Sequence, residues 1–355
     1  MNNTSAPYVY DQSPVMIYWE VTQACDLSCR HCRAQAIKEF DKFELSTQEC
    51  KVLLLQIAQF NAKHLPHLVM TGGDPLKRDD IYELISYGIK MGLDISLAPS
   101  GTPLLTKEAL TKLKDAGVKS ISLSLDGSSA QIHDAFRMVS GCFDRTINAA
   151  KIAFDLNLPF QINTLASKNT LNDLPKIYNL VSSLNPMTWS IFFLIKTGRG
   201  SVLNEITPTE AEKLYEWLYE ISKKSNFQIR TTEAPSFRRV YLSKIKSDGY
   251  SDMSIQRGFG VRDGNGIMFI SRRGQIFPSG FLPVSAGNVR NDDIIEIYRN
   301  SQVFKNIRDL NNLEGKCSYC EFRYICGGSR ARAYAKTQNY MESDPICSYQ
   351  PKLNE

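Results

Sequence analysis

Cys25, Cys29 and Cys32 fall within eight residues, in Cys25-Asp-Leu-Ser-Cys29-Arg-His-Cys32, directly after the strand-like run Met16-Ile-Tyr-Trp-Glu-Val-Thr22. Thiolates at this spacing can hold three irons of a four-iron cluster and leave the fourth iron open to another ligand. Zinc is the alternative occupant, since it also takes Cys and His. A zinc site needs a fourth ligand, however, and His31 beside Cys32 is poorly placed to be one. Near the other end, Cys317, Cys320 and Cys326 form a C-x2-C-x5-C run, and Cys347 follows after twenty intervening residues. Those four thiolates are a complete set for one closed four-iron cluster, with a zinc ribbon again the alternative. Cys50 and Cys142 stand apart and read as ordinary packed or surface thiols.

The first cysteine group resembles the signature of the radical S-adenosylmethionine (SAM) family, CxxxCxxC with an aromatic or His before the last Cys, here His31. The resemblance implies that the open iron is chelated by the amino and carboxylate groups of SAM, and that electron transfer cleaves SAM to a carbon radical. Gly72-Gly73-Asp74-Pro75 resembles the family's GGEP motif, with Asp in place of the commoner Glu. Two glycines let the backbone approach a ligand closely, and the carbonyls and carboxylate there would accept hydrogen bonds from the SAM ammonium group. Ser124 matches the family's fourth-strand serine that contacts SAM. Arg137, in His133-Asp-Ala-Phe-Arg137, matches an arginine that pairs with the SAM carboxylate, as a guanidinium fork suits a carboxylate. Ser100 and Asn163 are the candidates for ribose contacts, and Leu194 resembles the adenine-contacting position. Each has a plainer reading as turn, cap, surface charge or core. His64, His67 and His133 show no partner pattern and receive no ligand role.

These residues need elements to hold them. Strands are expected at Ile17 to Val21, Leu68 to Met70, Asp94 to Ala98, Ser120 to Leu125, Phe160 to Leu165 and Thr188 to Leu194. Between them lie amphipathic stretches: Ser46 to Phe60, Asp79 to Gly92, Lys107 to Gly117, Cys142 to Leu156 and Leu174 to Leu184. Alternation of this kind predicts a parallel sheet with helices outside. The fold class is therefore α/β, a partial, open TIM-like (β/α)6 barrel, because six units fall short of the eight that close a barrel. Functional groups should sit on loops at the carboxyl ends of the strands, and the cysteine loop, Thr71-Gly-Gly-Asp-Pro75 and Pro99-Ser-Gly101 fall there in order. Residues 1–15 read as an N-terminal tail, 16–205 as the core, 206–264 as a helical, polar bridge and 265–355 as a small C-terminal domain opened by a β-hairpin with Gly274 at its turn.

At 355 residues, 43% hydrophobic and 22% charged, the composition is that of an ordinary globular protein. The net charge of +5 is spread along the chain without a basic tail, which disfavours nucleic acid as a partner. The first twenty residues lack the regions of a signal peptide, and no apolar stretch approaches the roughly 18 residues of a membrane span. Seven of nine cysteines in two tight groups argue for metal ligation in a reducing cytoplasm.

The tail resembles the SPASM and Twitch extensions of radical SAM enzymes. SPASM domains usually carry seven cysteines for two auxiliary clusters; here Ser279 and Ser329 hold two of those places, which implies a Twitch-like tail with one auxiliary cluster on Cys317, Cys320, Cys326 and Cys347, suited to electron transfer. Trp19-Glu-Val-Thr-x-x-Cys25 with His31-Cys32-Arg-Ala34 looks most like the tetrapyrrole branch, that of the iron-coproporphyrin-decarboxylating haem synthase and haem d1 enzymes. The implied cofactors are a SAM-binding [4Fe-4S] cluster, an auxiliary [4Fe-4S] cluster and SAM. The expected partners are a small-molecule or peptide substrate and an electron donor such as flavodoxin or ferredoxin. Arg199 in Thr197-Gly-Arg-Gly200 is the basic residue best placed by sequence for substrate propionates. Peptide-maturing enzymes share the architecture and stand as the alternative. A cluster-carrying electron-transfer protein without SAM chemistry is the alternative of another class.

Overall fold

The computed structural model describes residues 10–60, 65–249 and 258–352; His64 and the first nine residues lie outside them. Seven strands run parallel, each hydrogen-bonded to the next: β1 (Met16–Thr22), β2 (His67–Gly72), β3 (Ile95–Leu97), β4 (Ser120–Ser124), β5 (Phe160–Ala166), β6 (Thr188–Phe193) and β7 (Gln228–Thr232). Helices α1 (Thr47–Ala58), α2 (Ile81–Lys90), α3 (Lys107–Asp115), α4 (Ala130–Arg137), α5 (Cys142–Asp155), α6 (Leu174–Leu184) and α7 (Pro208–Ser222) make the crossovers. The amphipathic sequence stretches become these helices because each has a start signal and an apolar stripe. α1, for example, opens on a capping box in which Ser46 and Glu49 satisfy each other's backbone N–H groups, and it buries Cys50, Leu53, Leu54 and Ile57.

The chain then forms α8 (Phe237–Asp248) and returns to the other edge of the sheet. There β8 (Arg262–Asp263) flanks β9 (Gly266–Ile270), which pairs parallel with β1 and antiparallel with β10 (Gln275–Phe277); β11 (Gly287–Asn288) ends the order. The sheet thus has two ends, β11 and β7, the open form of a partial barrel. Gly274 turns the β9–β10 hairpin at φ +81°. Helices α9 (Ile294–Asn300), α10 (Gln302–Arg308) and α11 (Arg330–Thr337) complete the tail around a small apolar cluster that includes Ile195, Leu282, Ile307 and Ala331.

Two expectations need correction. Six parallel strands are expected and β7 is a seventh; the stretch 206–264, expected to be helical, holds α7 and α8 with β7 between them. The reason lies in the faces of the sheet. Ile17, Trp19, Met70, Ile162, Trp189 and Ile229 point to the helices and join the main core. Their alternating neighbours, among them Tyr18, Glu20, Ser124, Asn163, Ser190 and Arg230, line the concave side and are polar. In Gln228-Ile-Arg-Thr-Thr232 only Ile229 needs to be apolar, so the strand looks like bridge. Among the described residues no helix is long and apolar enough to cross a membrane.

Candidate functional site

The cysteine loop leaves the carboxyl end of β1 and is fastened from several sides. Cys25 N–H donates to the Ile37 carbonyl at 2.7 Å, and Cys32 N–H to the Cys29 carbonyl at 3.2 Å. Arg199, from the loop after β6, donates its backbone N–H to Cys32 O at 3.0 Å, Nε to Cys29 O at 3.0 Å and Nη1 to Ala36 O at 3.1 Å. The guanidinium expected to await substrate propionates fastens the cysteine loop through Nε and Nη1, and its Nη2 is buried without a hydrogen-bond partner among the described residues. Gly198, at φ +53°, permits this approach: a Cβ there would lie 2.5 Å from Arg33 O.

Donors also face the sulfurs. Leu27 N–H points at Cys25 Sγ and Ala36 N–H at Cys32 Sγ, both at 3.4 Å, while Arg137 Nη1 lies 3.6 Å from Cys29 Sγ. Burial pushes the Cys25 thiol up to about 11, so a thiolate there calls for a compensating cation, as iron is. Three thiols on one fastened loop, with donors that spread sulfide charge, fit a cluster with one open iron.

The end of β2 is pressed against this loop. Gly73 N–H donates to Thr22 O at 2.8 Å and Asp74 N–H to Ala24 O at 2.7 Å. A Cβ on Gly73 would lie 2.3 Å from Ala24 O and 2.5 Å from Gln23 O, and one on Gly72, at φ +142°, 2.2 Å from Thr22 O. The glycines therefore serve contact with the cysteine loop. Asp74 is fully buried and its carboxylate turns inward, accepting from Thr102 Oγ1 at 2.6 Å, Leu76 N–H at 3.2 Å and Ser100 N–H at 3.3 Å. This differs from a carboxylate presented to an ammonium group; a buried acid must spend its lone pairs on nearby donors. Ser100 joins the same brace, donating Oγ to Gly73 O at 2.8 Å and lying 3.6 Å from Cys25 Sγ.

Across the site, Arg137 ends α4 and is buried. Its Nη2 bonds the carboxylate of Asp126, itself 1% exposed, and its Nε has no hydrogen-bond partner among the described residues. Asp126 also accepts from Leu165 N–H at 2.7 Å, and its own N–H donates to His133 Nδ1 at 3.0 Å. Arg137 thus already holds one acid, and Asp126, which motif reading passes over as a flanking residue, is the group that positions it. His31 stacks on Phe136 with ring centroids 5.0 Å apart, and its buried Nδ1 has no partner among the described residues. Phe136 in turn packs with Leu165, Leu194 and Leu203 in an apolar cluster separate from the main core. Ser124 and Asn163 are half-buried register partners on the concave face. Cys142, expected as a packed or surface thiol, is packed, buried in the apolar cluster that includes Cys25 and Cys29. His67 Nε2 meets Ser96 Oγ at 2.9 Å on the concave side.

The C-terminal thiols Cys317, Cys320, Cys326 and Cys347 rim one cavity together with Ser236, Arg239 and Lys316. Gly328 N–H points at Cys326 Sγ at 3.4 Å. Burial raises Cys320 to about 11 and Cys326 to about 12. Among the described residues no three His, Cys, Asp or Glu groups converge on a point that one metal ion could occupy. Ser279 and Ser329 are buried, and Ser329 borders that rim, following Gly328 and donating its N–H to Asp344 at 2.8 Å. Ser329 caps α11 through Arg332 N–H at 3.1 Å and donates Oγ to Glu233 at 2.5 Å.

Residues 19–181 match the model of the radical SAM superfamily. The chain is 39% identical over 344 residues to the AdoMet-dependent heme synthase of Methanosarcina barkeri, covering 96% of this chain and 97% of that protein. It is 38% identical to the AdoMet-dependent heme synthase of Nitratidesulfovibrio vulgaris, covering 96% and 95%. In fold it is similar to Streptococcus suis SuiB bound to S-adenosylmethionine, with a TM-score of 0.76, 17% identity, and 95% of this chain and 78% of that one aligned. With such identity along nearly its whole length, and with the cysteine loop, glycine edge and strand-end polar groups assembled at one end of the sheet, the chain belongs to the radical SAM superfamily and is an enzyme.

Proposed function

We propose that this enzyme oxidatively modifies a tetrapyrrole, removing carboxyl groups from an iron-coproporphyrin-type haem precursor. The observation that carries the substrate class is the identity of more than a third, end to end, to heme synthases. The site supports the chemistry. Cys25, Cys29 and Cys32 would hold a four-iron cluster, which would supply the electron for reductive SAM cleavage and so the radical chemistry that takes a hydrogen atom from substrate.

The chain's own residues do the positioning. Arg199 and the Gly72-Gly73 edge fix the cysteine loop; the half-buried backbone at those glycines is the part left to receive an ammonium group, since the Asp74 carboxylate is engaged. Arg137 keeps its buried Nε as a donor beside Cys29, and Ser124 and Asn163 offer side chains on the concave face for ribose or carboxylate. Leu194, with Phe136 and Leu165, offers an apolar platform for adenine, and His31, which burial lowers to about 4, stays neutral there. Cys317, Cys320, Cys326 and Cys347 would hold an auxiliary cluster that takes the electron released when the substrate radical loses its carboxyl group. A small cytoplasmic carrier such as flavodoxin or ferredoxin would supply the first electron.

Incubating the anaerobically reconstituted protein with iron-coproporphyrin III, SAM and a reductant tests the reading. Mass analysis is expected to show product lacking carboxyl groups, with 5′-deoxyadenosine formed alongside. Porphyrin recovered unchanged while SAM is cleaved would contradict the substrate assignment.

A further inference from the structure

The concave face of the sheet carries guanidinium charge that the protein does not neutralise. Arg33 follows Cys32 directly and lies flat over Phe269, its Cζ 4.5 Å from the ring centroid. Its Nη2 donates to Glu20 at 2.6 Å. Glu20 is 1% exposed and also accepts from Arg272 Nη1 at 2.8 Å, so one buried carboxylate is divided between two arginines. The other acid near Arg272 is Asp41, 3.4 Å from its Nε, and Asp41 is bound by Arg273 at 2.5 Å. Three arginines therefore meet two carboxylates, which leaves the group with one positive charge more than its acids carry.

Arg230 adds a second such group. It alternates with buried Ile229 on β7 and pairs in register with Ser190, which puts it on the concave side, and it is exposed there. Its Nη2 donates to Gln228 Oε1 at 2.8 Å, a neutral acceptor, and no ion pair joins it to an acid among the described residues. Its register continues through Ser190 to Asn163 on β5 and Ser124 on β4, so it shares the concave layer of those residues. Tyr18 is the register partner of Phe269. Arg33, bonded to Glu20, and Arg230, in register with Ser190 and through it with Asn163, thus both lie on the concave side.

We propose that Arg33 and Arg230 bind carboxylate groups of the substrate and so select a rigid, multiply carboxylated molecule. The assignment rests on the tetrapyrrole reading, whose substrate carries carboxylates around a flat ring. A guanidinium fork suits a carboxylate, and both cations are held on or against strands, Arg33 by its stack on Phe269, which limits the ordering cost of binding.

The test is anaerobic fluorescence titration of the reconstituted full-length protein with metal-free coproporphyrin III and with its methyl ester. Wild type should bind the acid and bind the ester much more weakly. Arg230→Gln and Arg33→Gln should each weaken acid binding roughly tenfold, about 1.4 kcal/mol, leave the residual ester affinity unchanged, and recover partly as Arg→Lys; circular dichroism and iron content monitor folding. Because Arg230 is exposed on a strand, its variant carries the test even where Arg33→Gln disturbs the adjacent Cys32. Acid binding at wild-type strength in both Gln variants, or equal binding of acid and ester by wild type, overturns the assignment. Failure of wild type to bind either form instead overturns the tetrapyrrole reading on which it rests.

Discussion

Arg137 and Asp126 are both nearly excluded from water and bonded to each other. A buried charge that loses its partner costs far more than the pair contributes, so Asp126→Asn should destabilise the fold by about 3–5 kcal/mol in urea unfolding. A loss below 1 kcal/mol would mean that the pair is hydrated. His133 gives a pH dependence. It is fully buried, its Nδ1 accepts a backbone N–H, and burial lowers it to about 4 from an ordinary 6.5. The unfolded chain binds the proton more readily, so this contribution is complete above pH 6.5 and is lost as pH falls towards 4, about 3 kcal/mol at most. His133→Gln should flatten that part of the stability–pH curve. At this scale the sequence exposes the ligands, since cysteine spacing is local. It hides Asp126, Thr102 and the true use of Arg199, because those depend on which loops meet.

The elements explain why the glycines are needed. The end of β2 abuts the backbone of the cysteine loop, and a methyl group on Gly73 would overlap Ala24 O. Gly73→Ala should therefore displace the loop and reduce SAM cleavage on the order of 100-fold, as expected for a misplacement of about 1 Å, while the helix-facing core is untouched. Undiminished 5′-deoxyadenosine formation by this variant would show that the contact is slack. Strands β1 to β6 are readable because their helix-facing residues are Ile, Leu, Val, Trp and Phe in runs flanked by turns. β7 escapes notice because one apolar residue suffices for its outer face. The pairing of β9 with β1 is invisible in sequence for a related reason: it joins segments some 250 residues apart, and no local pattern records it.

For the whole molecule, the two cysteine groups lie on one continuous sheet and the tail behind it, with Arg332 linking them: it donates to Leu194 O at 3.4 Å near the first site and pairs with Asp344, whose carbonyl accepts from Cys347 N–H at 3.1 Å, at the second. If each group holds a four-iron cluster, reconstituted protein should carry about eight irons and Cys320→Ala/Cys326→Ala protein about four. Equal iron in the two would remove the auxiliary cluster. The most direct test of the account is reductive SAM cleavage by the reduced, anaerobically reconstituted protein and by its Cys25→Ala/Cys29→Ala/Cys32→Ala variant, read as 5′-deoxyadenosine by chromatography. The account predicts 5′-deoxyadenosine from wild type and none above background from the variant. Cleavage retained without those three thiols would contradict it.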